Sequence, residues 1–245
     1  MSLVSEGHPT PDYYGSQTGR AQISEIPEMP EGAIAAIFDL DGVLTSTSAK
    51  HEQSWKDAAE HFGFPVTAES LRATRSVPRA TSLAALLAHA GLELDRATRE
   101  AVMAFKNARY KDLIAGLQPS DAFPGARDSL TRCRALGLRT GVASASQNVQ
   151  TVLKRIGLID FVDYVADSRA AAPKPSPDIY STTGAALGVD RHRTICIEDG
   201  GPIISNLRAE GFYTVGIGPD PLGAHEQALD IANWDVAASV ARVRG

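Results

Sequence analysis

The sequence is short of cysteine, of aromatic residues and of long apolar runs, and each shortage excludes something. Its two cysteines, Cys133 and Cys196, are too few and too far apart for a disulfide framework, which makes a reducing cytoplasm the simpler setting. Aromatic residues make up 6% of the chain, the formal net charge is -5, and no basic run stands out. A chain of this balance lacks both the stacking platforms and the phosphate-binding patch that nucleic acid requires, so no nucleic-acid partner is expected. The apolar runs fall well short of the ~18 residues of a membrane-spanning helix. The N-terminus also lacks the basic-then-apolar layout of a signal peptide, and no membrane partner is expected.

What remains is a chain of 245 residues, 43% hydrophobic and 22% charged, long enough for one α/β domain with a sizeable core or a core plus a small insert. Residues 1–32 are rich in Gly, Pro, Ser and Glu and read as a flexible leader with no part in chemistry. Ala33 to Leu40 is a short apolar run ending in acids and Gly42, the signature of a buried parallel strand that opens into a loop. The pattern then turns helical, with segments expected at Glu52 to Phe62, Ser82 to Ala90 and Arg96 to Ala115, the last two stopped by Gly91 and Gly116. After Pro124-Gly125 strands and helices alternate. Strands are expected at Arg139 to Ala143, Tyr164 to Ala166, Thr194 to Ile197 and Tyr213 to Ile217, with helices between them. Such alternation implies right-handed crossovers and a Rossmann-like, doubly wound parallel sheet. The expected organisation is a core of residues 33–47 and 120–245, interrupted by a helical cap at 48–119.

In open α/β sheets the ligand sits at the carboxyl ends of the strands. The residues just past those ends are Asp39 and Asp41, Ser144, Lys174, then Glu198 and Asp199, all polar or charged although apolar strands feed them. Asp39 and Asp41 flank Leu40 and precede Gly42, which lets the chain turn sharply. These acids, joined by Glu198-Asp199, would repel one another unless a divalent cation neutralised them, and carboxylates with a backbone carbonyl and waters suit Mg²⁺. An aspartate can attack phosphorus and form an aspartyl phosphate, while a neighbouring acid exchanges a proton with the leaving and accepting oxygens. Ser144, at a strand-to-helix turn, offers a hydroxyl to phosphoryl oxygens. Lys174, held between Pro173 and Pro175, supplies positive charge for the transition state.

Phe38-Asp39-Leu40-Asp41-Gly42-Val43-Leu44-Thr45 resembles the first motif of the haloacid dehalogenase-like superfamily. Ser144, Lys174 in Lys174-Pro175-Ser176-Pro177-Asp178, and Glu198-Asp199 are similar to its second, third and fourth motifs, in the right order. The resemblance implies that Asp39 is the nucleophile and Asp41 the general acid/base. It further implies that Asp39, Asp199 and the carbonyl of Asp41 hold Mg²⁺, with Glu198 beside it. Within the superfamily the chain looks most like the β-phosphoglucomutase subgroup. His51, Trp55, Arg79 and Lys106 stand where that subgroup has substrate-facing cap residues. Asn107 and Tyr110 also have counterparts there, as do Ser146 and Asn148 after Ser144, and Arg79 resembles the arginine that grips the substrate's non-transferring phosphate. Gln147 stands where a lysine is common in the subgroup.

The expected activity is phosphoryl transfer on a small phosphosugar, with conversion of β-glucose 1-phosphate to glucose 6-phosphate as the specific reaction. A phosphatase acting on a small phosphate monoester is the alternative, because both share every core motif. A non-catalytic phosphosugar sensor is a further one. The chain is expected to act as a monomer or weak dimer.

Overall fold

Ala35–Phe38, the first strand (β1), has no exposed side chain at all, so it must be covered on both faces. A computed structural model describing residues 32–172 and 174–244 shows how. The remaining strands are β2 (Arg139–Ala143), β3 (Tyr164–Ala166), β4 (Thr194–Glu198), β5 (Tyr213–Ile217) and β6 (Glu226–Ala228). Among the described residues these strands form one sheet in the order β3-β2-β1-β4-β5-β6, every neighbouring pair parallel. That is the doubly wound order, with β1 and β4 side by side where the winding reverses. Apart from Gly32, the leader lies outside the described residues.

Alternation along β1 sends Ala36 and Phe38 into one apolar cluster and Ala35 and Ile37 into another. The first cluster takes side chains from α5 (Ala126–Ala135), α6 (Val149–Arg155) and α9 (Val236–Arg244); the second takes them from α7 (Asp178–Ala186) and α8 (Gly201–Ala209). Phe38 meets Trp234 edge-to-face, with ring centroids 5.7 Å apart.

Between β1 and α5 the chain forms α1 (Ser48–Phe62), α2 (Ala68–Arg72), α3 (Arg79–Ala90) and α4 (Arg96–Ala115). Left-handed Gly63 and Gly91 close α1 and α3, while Asp95 caps α4 by accepting from the Thr98 N–H at 3.0 Å. Gly116 follows α4 without adopting the left-handed conformation; a 3₁₀ turn beginning at Pro119, which cannot continue a helix, comes next. Trp55, Ala58, Leu71, Leu83, Leu86 and Val102 give these helices an apolar cluster of their own. The fourth helix nevertheless belongs to both bodies, since Val102 packs in that cluster while Tyr110 and Ile114 are buried in the core beneath the sheet.

Three elements escape a reading of hydrophobic periodicity. Helix α2 is five residues long, too short to show a period, and is announced by a Thr67/Ser70 capping box. Strand β6, Glu-Gln-Ala, is a polar edge strand, and α9 lies beyond the last apolar run that reads as a strand.

Because Ile114 is fully buried where the helical insert meets the core, Ile114→Ala is expected to lower the unfolding free energy by about 2–5 kcal/mol. Urea denaturation followed by circular dichroism measures it. A loss below about 1 kcal/mol would show that the end of α4 does not depend on this seat.

Candidate active site

The parallel register of β1 and β4 pairs Phe38 with Ile197, so the residues that follow, Asp39 and Glu198, emerge next to each other. The Asp39 N–H donates to the Ile197 carbonyl at 2.9 Å, carrying the ladder one step past the named strand. The next loop must then turn across the end of β4. Gly42 makes that possible: its φ is +95°, and a Cβ there would stand 1.9 Å from Asp199 Oδ2. Only glycine lets this backbone lie against that carboxylate.

Lys174 reaches over from the segment before α7 and donates to Asp39 Oδ1 and to Glu198 Oε1, both at 2.6 Å. Its peptide bond to Pro175 is cis. Tyr180, on the first turn of α7, donates to the same Glu198 oxygen at 2.7 Å. Burial by itself would lower the lysine's pKa, but the two carboxylates outweigh it and raise it, so the ammonium stays charged. Burial also pushes Asp39 up despite Lys174, with Glu198 and Asp199 adding to the rise. Asp199 is pushed up to about 6, by partial burial and then by Glu198. The cluster holds more negative charge than one ammonium neutralises.

Carboxylate oxygens of Asp39, Glu198 and Asp199 all lie within 4.8 Å of one another, a hard-oxygen donor set of the kind that holds a divalent cation. The Gly42 backbone leaves no room for a side chain beside Asp199, the outermost of these three carboxylates. The residues therefore fit such an ion.

Asp41 has different partners. Its Oδ1 accepts from the Thr47 N–H and from the Thr47 hydroxyl, the latter at 2.8 Å, and Tyr110 Oη lies 2.9 Å from that hydroxyl. With Asp41 ionised, Thr47 donates to it and Tyr110 donates to Thr47. Burial raises the Asp41 carboxyl and the Thr47 bonds oppose the rise. Two acids flanking one leucine thus sit in unlike surroundings, one against an ammonium and one against a hydroxyl relay.

Ser144, buried just past β2, accepts from the Ser146 N–H at 3.1 Å through its hydroxyl, and Ser146 in turn accepts from the Asn148 N–H at 3.2 Å. These turns place all three side chains at the start of α6, facing the acids.

The opposite wall comes from the helical insert. His51 stacks on Tyr110 with centroids 3.8 Å apart, and its Nδ1 lies 2.7 Å from Lys106 Nζ. Burial, and then Arg79, brings Lys106 down to about 7; burial, Lys106 and Arg79 together drive His51 well below its usual value. Lys106 also stands over the Trp55 and Tyr110 rings, 5.2 and 4.8 Å from their centroids.

Between the two walls lies a cavity of about 500 Å³. Of the residues that the sequence singles out, Asp39, Asp41, Ser144, Lys174 and Asp199 line it from the sheet side, as do Ser146 and Asn148. His51, Trp55, Arg79 and Lys106 line it from the insert. Glu198 does not; it lies beneath, bonded to Lys174 and Tyr180. Trp55 is both wall and core, 1% exposed within the insert's own cluster. Thr47 and Tyr180 were not legible as site residues, since a threonine before a helix reads as a cap and a tyrosine in α7 reads as packing.

The chain between residues 35 and 210 matches the haloacid dehalogenase-like hydrolase model. It is 34% identical over 187 residues to a β-phosphoglucomutase of Bacillus subtilis (strain 168), spanning 75% of this chain and 83% of that one. It is 27% identical over 173 residues to hexitol phosphatase B of Escherichia coli (strain K12), spanning 69% and 77%. Its fold superposes on the crystal structure of a β-phosphoglucomutase from Clostridium difficile with a TM-score of 0.80 and 25% identity, covering 86% of this chain and 97% of the other. Sheet order, strand-end acids and buried lysine agree with these matches: the chain is an enzyme of the haloacid dehalogenase-like hydrolase family.

Proposed function

We propose that this enzyme transfers phosphoryl groups on a small phosphosugar through an aspartyl phosphate at Asp39, with conversion of β-glucose 1-phosphate to glucose 6-phosphate as its reaction. The observation that carries this reading is a single cavity with two unlike ends. The sheet end holds Asp39, Lys174 and Asp199, and the insert end holds Arg79, Lys106 and His51. A substrate with a phosphate at each end suits both.

Asp39, Asp199 and the Asp41 carbonyl, with Glu198 beside them, would hold Mg²⁺, which would supply positive charge to let a phosphate dianion approach these carboxylates. The protein's own groups do the rest. The Asp39 carboxylate attacks phosphorus as the bond to the sugar oxygen breaks, and Asp41 gives its proton to that oxygen. In the return step Asp41 takes a proton from the accepting sugar hydroxyl, which attacks the aspartyl phosphate and frees Asp39. Lys174, bonded to Asp39, and the Ser144 hydroxyl face the charge that grows on the transferring group. The Thr47–Tyr110 relay sets Asp41 apart from Asp39 as the proton carrier. The helical insert acts as a cap, whose closure keeps water from the aspartyl phosphate.

A phosphatase is the second reading, favoured by the likeness to hexitol phosphatase B; there water takes the place of the accepting hydroxyl. Purified enzyme with Mg²⁺, β-glucose 1-phosphate and a trace of glucose 1,6-bisphosphate separates the two. Glucose 6-phosphate without matching free phosphate is expected, with loss of both products in Asp39→Asn. Free phosphate alone would make the enzyme a phosphatase.

The raised Asp199 carboxyl predicts a pH dependence for the metal. Below its value of about 6 the group is protonated and cannot ligate, so Mg²⁺ affinity falls as pH drops through 6. Calorimetric titration at pH 5 is expected to show binding about tenfold weaker than at pH 7.5. Equal affinity at both would contradict the coupling of metal binding to a raised Asp199 carboxyl.

A further inference from the structure

One amide joins the helical insert to the sheet side of the cavity. Asn107 lies on α4, beside Lys106, and does not itself line the cavity. Its Oδ1 accepts from Arg79 Nη2 at 2.7 Å and from Asn148 Nδ2 at 3.0 Å. A guanidinium has only donors, so the Arg79 contact fixes which end of the amide is oxygen, and that same oxygen faces Asn148. Arg79 Nη2 also donates to Gln147 Oε1 at 3.3 Å. Arg79 is the first residue of α3, and Asn148 is the residue before α6, so one oxygen ties two helices of the insert to the core. Arg79 and Asn148 both line the cavity, and Asn107 stands behind them.

We infer that Asn107 is a positioning residue: its amide oxygen aims Arg79 into the cavity and latches α4 to the start of α6, so it governs how tightly the far end of the substrate is held without touching it. The inference rests on the reading of Arg79 as the contact for the substrate's non-transferring phosphate. Chemistry favours asparagine here. Its oxygen is a neutral acceptor, so it orients the guanidinium while leaving its positive charge for an arriving anion.

Asn107→Leu keeps the branched outline of the side chain and removes the acceptor. It is expected to raise KM for glucose 1,6-bisphosphate about tenfold while kcat changes by less than about twofold. Asn107→Asp keeps an oxygen acceptor but adds a charge that competes with the substrate phosphate for Arg79, so it is expected to leave KM raised while keeping tryptophan quenching at the wild-type level. In an Arg79→Ala background Asn107→Leu is expected to add little to KM, because the two act through one contact. Without substrate, acrylamide quenching of tryptophan fluorescence is expected to rise in Asn107→Leu, as a loosened cap exposes Trp55; Trp234, buried in the core, is a constant background.

An unchanged KM, or a KM effect fully additive with Arg79→Ala, overturns the inference. If the wild-type enzyme acts on no hexose phosphate, the phosphosugar reading fails. The quenching comparison then decides the latch alone, and unchanged quenching overturns it. Should Asn107→Leu not fold, Asn107→Ala carries the same comparisons.

Discussion

The site depends on one ammonium. Burying Asp39 and Glu198 beside each other would cost several kcal/mol per charge if nothing answered it. Lys174 answers both, at 2.6 Å to each, and is itself 7% exposed. Tyr180 fills out the hydrogen bonding of Glu198 from the same helix that Lys174 precedes. Strands β1 and β4 can therefore end in buried acids, Asp39 and Glu198, and the remaining negative charge suits a divalent cation. The bridge both holds Asp39, the proposed nucleophile, in place and leaves a charge imbalance that a divalent cation would answer.

A second constraint separates the two aspartates. Asp39 is tied to the core through Lys174, whereas Asp41 is tied through Thr47 to Tyr110 on α4. Because α4 also carries Lys106 and Asn107, the tyrosine that ends the Asp41 relay, the cationic wall and the proposed latch share one helix. The buried seat of Tyr110 and Ile114 anchors that helix in the core. Any movement of the insert about this anchor would alter the surroundings of Asp41 and Arg79 together.

The core of the site was legible in sequence for a physical reason. Apolar strands that end abruptly in Asp39, Ser144 or Glu198-Asp199 mark the carboxyl edge of a parallel sheet, and the loop glycine at 42 marks a turn. Residues that act through others left no such mark. Thr47 reads as a helix cap and Tyr180 as packing, and Asn107 is marked only by its counterpart in the resembled subgroup, because their roles arise from contacts between segments far apart in sequence. Glu198 illustrates the converse: it was legible as an acid of the site, yet only the structure shows that it lies beneath the cavity. Helix α2 and strand β6 were missed because five and three residues are too few to display a period.

The proposed chemistry requires Asp39 to be a nucleophile poised for phosphorus. Fluorine NMR of the enzyme with saturating Mg²⁺ and beryllium fluoride tests it most directly, since the trifluoride mimics a phosphoryl group bonded to a carboxylate. Protein-bound fluorine signals that require Mg²⁺ and disappear in Asp39→Asn are predicted. Their absence from the wild-type enzyme, or their persistence in Asp39→Asn, would rule out Asp39 as the phosphoryl acceptor.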